Sequence, residues 1–123
     1  MNTLVSQLTI LVVDDEPLIR WSISETLGTA GHRVTEAEDA ASALRALACM
    51  PPPDVVLLDL RLPDSNDLRL LEKIHTIAPA ATVIVMTAFG TPEVTADAFT
   101  LGARGVLTKP FDIHDLERVV SSL

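Results

Sequence analysis

The chain has 123 residues, 17 acidic against 9 basic side chains, a net charge of −8, 48% hydrophobic residues and one cysteine. That length suits one domain burying roughly two-thirds of its unfolded surface, and the acidity repels nucleic-acid phosphates and anionic lipid, which speaks against direct DNA binding. Cys49 alone excludes an internal disulfide, no apolar run nears the ~20 residues of a membrane span, and the opening MNTLVSQL lacks a basic start and cleavage pattern, so a reducing cytoplasm is the expected location.

Strand and helix patterns alternate along the chain. Ile10-Leu11-Val12-Val13 is a short, unalternated, β-branched run of the kind buried on both faces of a parallel sheet, and it ends on Asp14-Asp15. Pro17 suits a first helical turn, with Ile19, Ile23 and Leu27 recurring on one face until Gly28 and Gly31. A second strand is expected at Arg33–Ala37, then a helix from Ala40 to Met50 capped by Asp39 and stopped by Pro51-Pro52-Pro53, read as a rigid surface loop.

The third run, Val55-Val56-Leu57-Leu58, ends on Asp59, and Leu68, Leu71, Ile74 and His75 or Ile77 outline a third helix. The fourth, Val83-Ile84-Val85-Met86, ends on Thr87 and precedes a helix from Pro92-Glu93 to Leu101 stopped by Gly102. The last, Val106-Leu107, leads to Thr108-Lys109, and Asp112 caps a final helix with Ile113, Leu116, Val119 and Val120 on one face. Such alternation, with right-handed crossovers, gives a sheet covered by helices on both sides.

In open parallel sheets ligands bind beyond the carboxyl ends of the strands, so Asp14, Asp15, Asp59, Thr87 and Lys109 are expected at one edge. Converging carboxylates repel unless a cation is present, and a hard ion such as Mg²⁺ takes carboxylate and phosphate oxygens while keeping waters. Asp15 and Asp59 are the expected direct ligands, with Asp14 acting through water. Asp59, alone at its strand end, is the candidate nucleophile for an aspartyl phosphate. Lys109 would supply positive charge, and the Thr87 hydroxyl a hydrogen bond available only once a phosphoryl oxygen is present.

LTILVVDDEP, VVLLDLRLPDSND, VIVMTAFGTPE and GARGVLTKPFD, in this order and spacing, resemble the receiver domain of two-component response regulators from about Leu8 to the end of the chain. The resemblance implies a flavodoxin-like α/β fold, a doubly wound five-stranded parallel sheet of order 2-1-3-4-5 with five helices. It implies Mg²⁺-dependent transfer of a phosphoryl group from a sensor histidine kinase to Asp59, the domain catalysing only its own phosphorylation and dephosphorylation. By position it makes Asp14, Asp15, Asp59 and the Arg61 backbone carbonyl metal ligands, Thr87 the switch hydroxyl, Lys109 the phosphate lysine, and Lys109-Pro110 a cis peptide. The output surface would be the fourth helix, fifth strand and fifth helix, acting on a tethered or separate output domain and through pairing of two copies.

Leu18-Ile19-Arg20-Trp21 and Thr87-Ala88-Phe89-Gly90-Thr91 look most like receivers of nitrogen-regulator-type enhancer-binding activators. That likeness implies that residues 1–123 form a single receiver module at the start of a longer regulator of transcription. Two positions depart from the family: Val106 stands where many receivers carry an aromatic switch residue, and Asp67 where Gly is common. Phe89 or movement of the fourth helix would then replace the aromatic, and residues 64–67 would form a different turn. A degenerate receiver that binds partners without phosphorylation is the alternative. A hydrolase with an Asp nucleophile expects a second Asp two residues on, where this chain has Arg61.

Overall fold

A computed structural model describes residues 7–65, 67–88 and 90–123. Ten elements alternate: β1 (Thr9–Val13), α1 (Pro17–Thr29), β2 (Arg33–Ala37), α2 (Ala40–Cys49), β3 (Val55–Asp59), α3 (Arg69–Ile77), β4 (Thr82–Thr87), α4 (Pro92–Thr100), β5 (Ala103–Thr108) and α5 (Ile113–Ser121). The strands form one parallel sheet in the order β2-β1-β3-β4-β5, as expected of a flavodoxin-like fold. Among the described residues no helix is long and apolar enough to cross a membrane.

Residue parity along the central strands divides the core in two. Ile10, Val12, Val55, Leu57, Ile84 and Met86 face Ile23 and Leu27 of α1 and Leu116 and Val120 of α5. Their neighbours Leu11, Val13, Val56, Leu58, Val83 and Val85 face Ala43, Leu47, Leu71, Ile74 and Ala98 of α2, α3 and α4. Each buried aliphatic side chain contributes about 1.5–3 kcal/mol, so a strand buried on both faces is anchored along its whole length. Its last residue is therefore held in place.

Helix ends follow local chemistry. The Asp39 carboxylate accepts from Ser42 N at 2.7 Å and the Ser42 hydroxyl accepts from Asp39 N, closing a capping box on α2. Thr91 Oγ1 accepts from Val94 N at the start of α4, and Asp112 from His114 N at the start of α5. Gly102 ends α4 with φ +109°, and a Cβ there would lie 2.6 Å from His75 Nδ1, so only glycine fits both the turn and the ring beside it.

The structure differs from the sequence reading at three places. The fifth strand was expected to be buried on both faces, yet Val106 and Leu107 are half-buried because β5 is an edge of the sheet. In α3 the fully covered side chains are Leu70, Leu71 and Ile74, while Leu68 is half-buried and His75 and Ile77 are exposed. Of the three prolines after α2, Pro53 is buried. The chain there is tied to the sheet by Asp54 N donating to Thr9 O and Thr9 N to the Asp54 carboxylate, both at 2.8 Å.

Candidate functional site

Asp14 follows β1 and is 0% exposed. Its backbone continues the sheet by donating to Ala37 O at 3.1 Å, and its Oδ1 accepts from Glu16 N at 2.9 Å, which turns the chain toward α1. From α1, Arg20 Nη1 donates to Asp14 O at 2.6 Å while its Nε meets Glu36 Oε1 at 3.0 Å. The guanidinium thus ties the β1 end to the β2 end. Asp15 projects into solvent beside this turn.

Asp59 ends β3 at 4% exposure, paired across the ladder with Met86. Its Oδ1 accepts from Arg61 N at 3.0 Å. Lys109, just after β5, reaches back over the sheet edge. Its Nζ donates to Asp14 Oδ2 at 2.8 Å, to Asp59 Oδ2 at 3.1 Å and to Glu16 Oε1 at 3.1 Å. The lysine backbone is fixed by Lys109 N donating to Thr87 O at 2.7 Å, and the Lys109–Pro110 peptide is cis.

Burial pushes the Asp59 carboxyl above its ordinary value of 3.8, with the Asp14 charge adding to it and the Arg61 amide and Lys109 opposing it. Burial by itself would push the Lys109 ammonium down. The hydrogen bond to Asp14 and the charges of Asp14 and Asp59 override it, so the amine lies above its ordinary range and is charged.

Oxygen atoms of Asp14, Asp15, Glu16 and Asp59 lie within 4.8 Å of one another. An all-oxygen donor set of that span, with two acids buried and two open to solvent, fits a hard divalent cation that keeps part of its water. A pocket of about 440 Å³ opens over it, lined by Asp15, Glu16, Asp59, Arg61, Leu62, Pro63, Ala88 and Lys109. Ala88, a small residue, lines its rim.

The structure brings Asp14, Asp15, Asp59, Arg61 and Lys109 together as expected. Thr87 ends β4 at 2% exposure and borders a neighbouring cavity of about 600 Å³, with Leu60, Leu68, Val94 and Leu101. Val106 packs partly buried against the core on the α2, α3 and α4 side. Phe89 and Asn66 lie outside the described residues. Asp67 takes the glycine-like position without a left-handed backbone, its carboxylate accepting from Arg69 N at 2.9 Å.

Sequence reasoning missed Glu16 and Arg20. Glu16 directly follows the acidic pair, which was signal enough to include it. Arg20 sits one helical turn beyond Glu16, but its acceptors Asp14 and Glu36 are set only by the β1–β2 pairing. His32 Nδ1 accepts from Leu8 N at 3.1 Å, and His75 and His114 are exposed.

Residues 10–121 match the family model described as Response regulator receiver domain. The DNA-binding transcriptional regulator NtrC of Escherichia coli (strain K12) is 40% identical over 114 residues, covering 89% of this chain and 24% of that protein. The probable transcriptional regulatory protein TcrX of Mycobacterium tuberculosis is 39% identical over 108 residues, covering 88% of this chain and 46% of that one. Among solved structures, a CheY-like response regulator receiver domain protein from Methanospirillum hungatei JF-1 superposes with a TM-score of 0.89 at 29% identity, covering 95% of this chain and 93% of the other. The chain thus spans about a quarter to a half of these curated relatives.

Proposed function

The chain belongs to the response regulator receiver domain family, and from that premise we propose that Asp59 accepts a phosphoryl group from the phosphohistidine of a sensor histidine kinase. A carboxylate oxygen of Asp59 bonds to phosphorus as the phosphorus–nitrogen bond of the donor breaks, and the released imidazole takes a proton. Asp14, Asp15 and Asp59, with the Arg61 carbonyl and Glu16 beside them, would hold Mg²⁺, which when bound neutralises charge on the transferred group and aligns it.

Lys109 exchanges its contact with Asp59 Oδ2 for a phosphoryl oxygen while keeping Asp14. Its charge then lies where negative charge builds, the arrangement that lowers a phosphoryl-transfer barrier. Thr87 turns its hydroxyl toward the new oxygens and draws the start of α4 with it. The surface of α4, β5 and α5 changes packing, a coupling of about 1–3 kcal/mol, and controls an output domain, tethered or separate, that acts on transcription in the cytoplasm. NtrC and TcrX, both named as transcriptional regulators, support that direction of output. We also propose that residues 1–123 act as one receiver module.

One observation carries this reading: a part-buried ammonium bridges carboxylates 95 and 50 residues away in sequence, at the carboxyl edge of the sheet. The open pocket over the acidic cluster, lined by Asp15, Glu16, Asp59 and Lys109, favours a phosphorylatable site over a degenerate one. Incubation with Mg²⁺ and acetyl phosphate, followed by intact-mass measurement, tests it. One phosphoryl group is expected on the parent and none on Asp59→Asn or in the presence of EDTA. Equal uptake by Asp59→Asn would overturn the assignment.

A further inference from the structure

The loop from β3 to α3 carries the Arg61 carbonyl and the Leu62–Pro63 wall of the acidic pocket, and it is fastened at a point outside that pocket. Leu62 and Ser65 close a small turn, Leu62 N donating to Ser65 O at 2.9 Å and Ser65 N to Leu62 O at 3.2 Å, with the Leu62 side chain buried. Between them Asp64 points away from the pocket to the start of α2. Its Oδ1 accepts from Ala40 N at 2.8 Å and its Oδ2 from Ala41 N at 3.0 Å.

These two amides are first-turn donors that a helix cannot satisfy internally. The next two, Ser42 N and Ala43 N, are taken by the Asp39 side chain at 2.7 Å and the Asp39 carbonyl at 3.1 Å. Asp39 is therefore the local cap. Asp64 arrives from 24 residues away in sequence and joins two loops that the sheet alone does not connect. A carboxylate suits the position, since both oxygens are used and the helix N-terminus favours negative charge.

We propose that Asp64 is a positioning residue for the metal and phosphoryl site: by gripping the α2 N-terminus it fixes the height and direction at which the loop presents the Arg61 carbonyl. This rests on the reading of the acidic pocket given above. With Asp59 Oδ1 holding Arg61 N at one end of the loop and Asp64 holding α2 at the other, the intervening carbonyl has little freedom. Removing the grip lets the loop relax and lowers affinity for the cation without deleting a ligand. Outer partners of metal ligands commonly act in this way.

The test measures Mn²⁺ affinity by the electron-spin-resonance signal of the free ion, in the parent, Asp64→Ala, Asp64→Asn and Asp39→Ala. Asp64→Ala is expected to bind Mn²⁺ about tenfold more weakly, and Asp64→Asn, which keeps one acceptor, by a smaller factor. Amide exchange at Ala40 and Ala41 should speed up in Asp64→Ala. Asp39→Ala removes a cap from the same helix but leaves the loop fastened, so it should lose thermal stability and keep the parent's affinity. Parent-like Mn²⁺ binding by both Asp64 variants, or an equal loss in Asp39→Ala, overturns the proposal. If Asp64→Ala does not fold, Asp64→Asn against Asp39→Ala decides it. A parent that binds Mn²⁺ yet takes no phosphoryl group overturns the functional reading alone, and one that binds no Mn²⁺ overturns both.

Discussion

The two sides of the candidate site are built to different tolerances. On one side Asp14 and Asp59 end strands whose residues are buried on both faces, and each carboxylate is held by a backbone amide as well as by Lys109. On the other side β5 is a half-exposed edge strand, its pairing with β4 shifts register between Val83 and Ile84, and α4 contributes a single buried residue, Ala98. The contrast matches the tasks proposed above. A metal and phosphoryl site needs fixed oxygens, whereas an element that reports a chemical change must have a second packing within reach at small cost.

Substitutions can break that contrast. Ile84→Ala, in the middle of β4 at 1% exposure, should cost about 3–4 kcal/mol, read as a lowered urea midpoint with the slope unchanged. A loss below about 1 kcal/mol would mean that the central strands are packed no better than the edge.

Lys109→Met comes next. It leaves Asp14 and Asp59 buried without their ammonium, and we expect a loss of about 2 kcal/mol at neutral pH, below the ~3–5 kcal/mol of a fully enclosed pair because the lysine side chain keeps 11% exposure. The sign with pH follows from Asp59. Its folded pKa is raised, so the native state holds the proton more tightly than the unfolded chain, and stability from this group is present below 3.8 and lost as pH rises through the folded value. Without Lys109 that value rises further, so the deficit should shrink as the solution is acidified. A deficit independent of pH would contradict the pairing.

The same raised pKa governs the cation. Metal binding needs ionised Asp59, so Mg²⁺ affinity should fall as pH drops through a value above 3.8, by up to about tenfold per pH unit, measured by isothermal titration. Affinity that holds steady down to 3.8 would place the ion away from Asp59. The smallest effect is expected from Thr91→Ala, which removes the α4 cap at a cost of about 1 kcal/mol. Its hydrogen exchange should quicken across residues 92–100 while β1 and β3 stay protected. Uniform loss of protection would deny that α4 is the separately adjustable part.

The same contrast explains what could be read from the sequence. Apolar runs ending on Asp14-Asp15, Asp59 and Thr87 announce central strands and the residues at their carboxyl ends, since a strand buried on both faces has no polar residue to blur it. The β5 run was harder to judge, because burial at a sheet edge depends on what covers it. Leu70 in α3 competes with Leu68 for the core, and spacing alone does not choose between them. Arg20 and Asp64 depend on partners that only the fold brings near, Glu36 for the first and the α2 amides for the second, whereas Glu16 stands next to the acidic pair and was legible there.

The most direct test locates the phosphorylated residue itself. After incubation with Mg²⁺ and acetyl phosphate, borohydride reduction converts an aspartyl phosphate to homoserine, and peptide fragmentation reads its position. Homoserine at Asp59 alone is the expected result. Homoserine at Asp14 or Asp15, or none at any acidic position, would contradict the account.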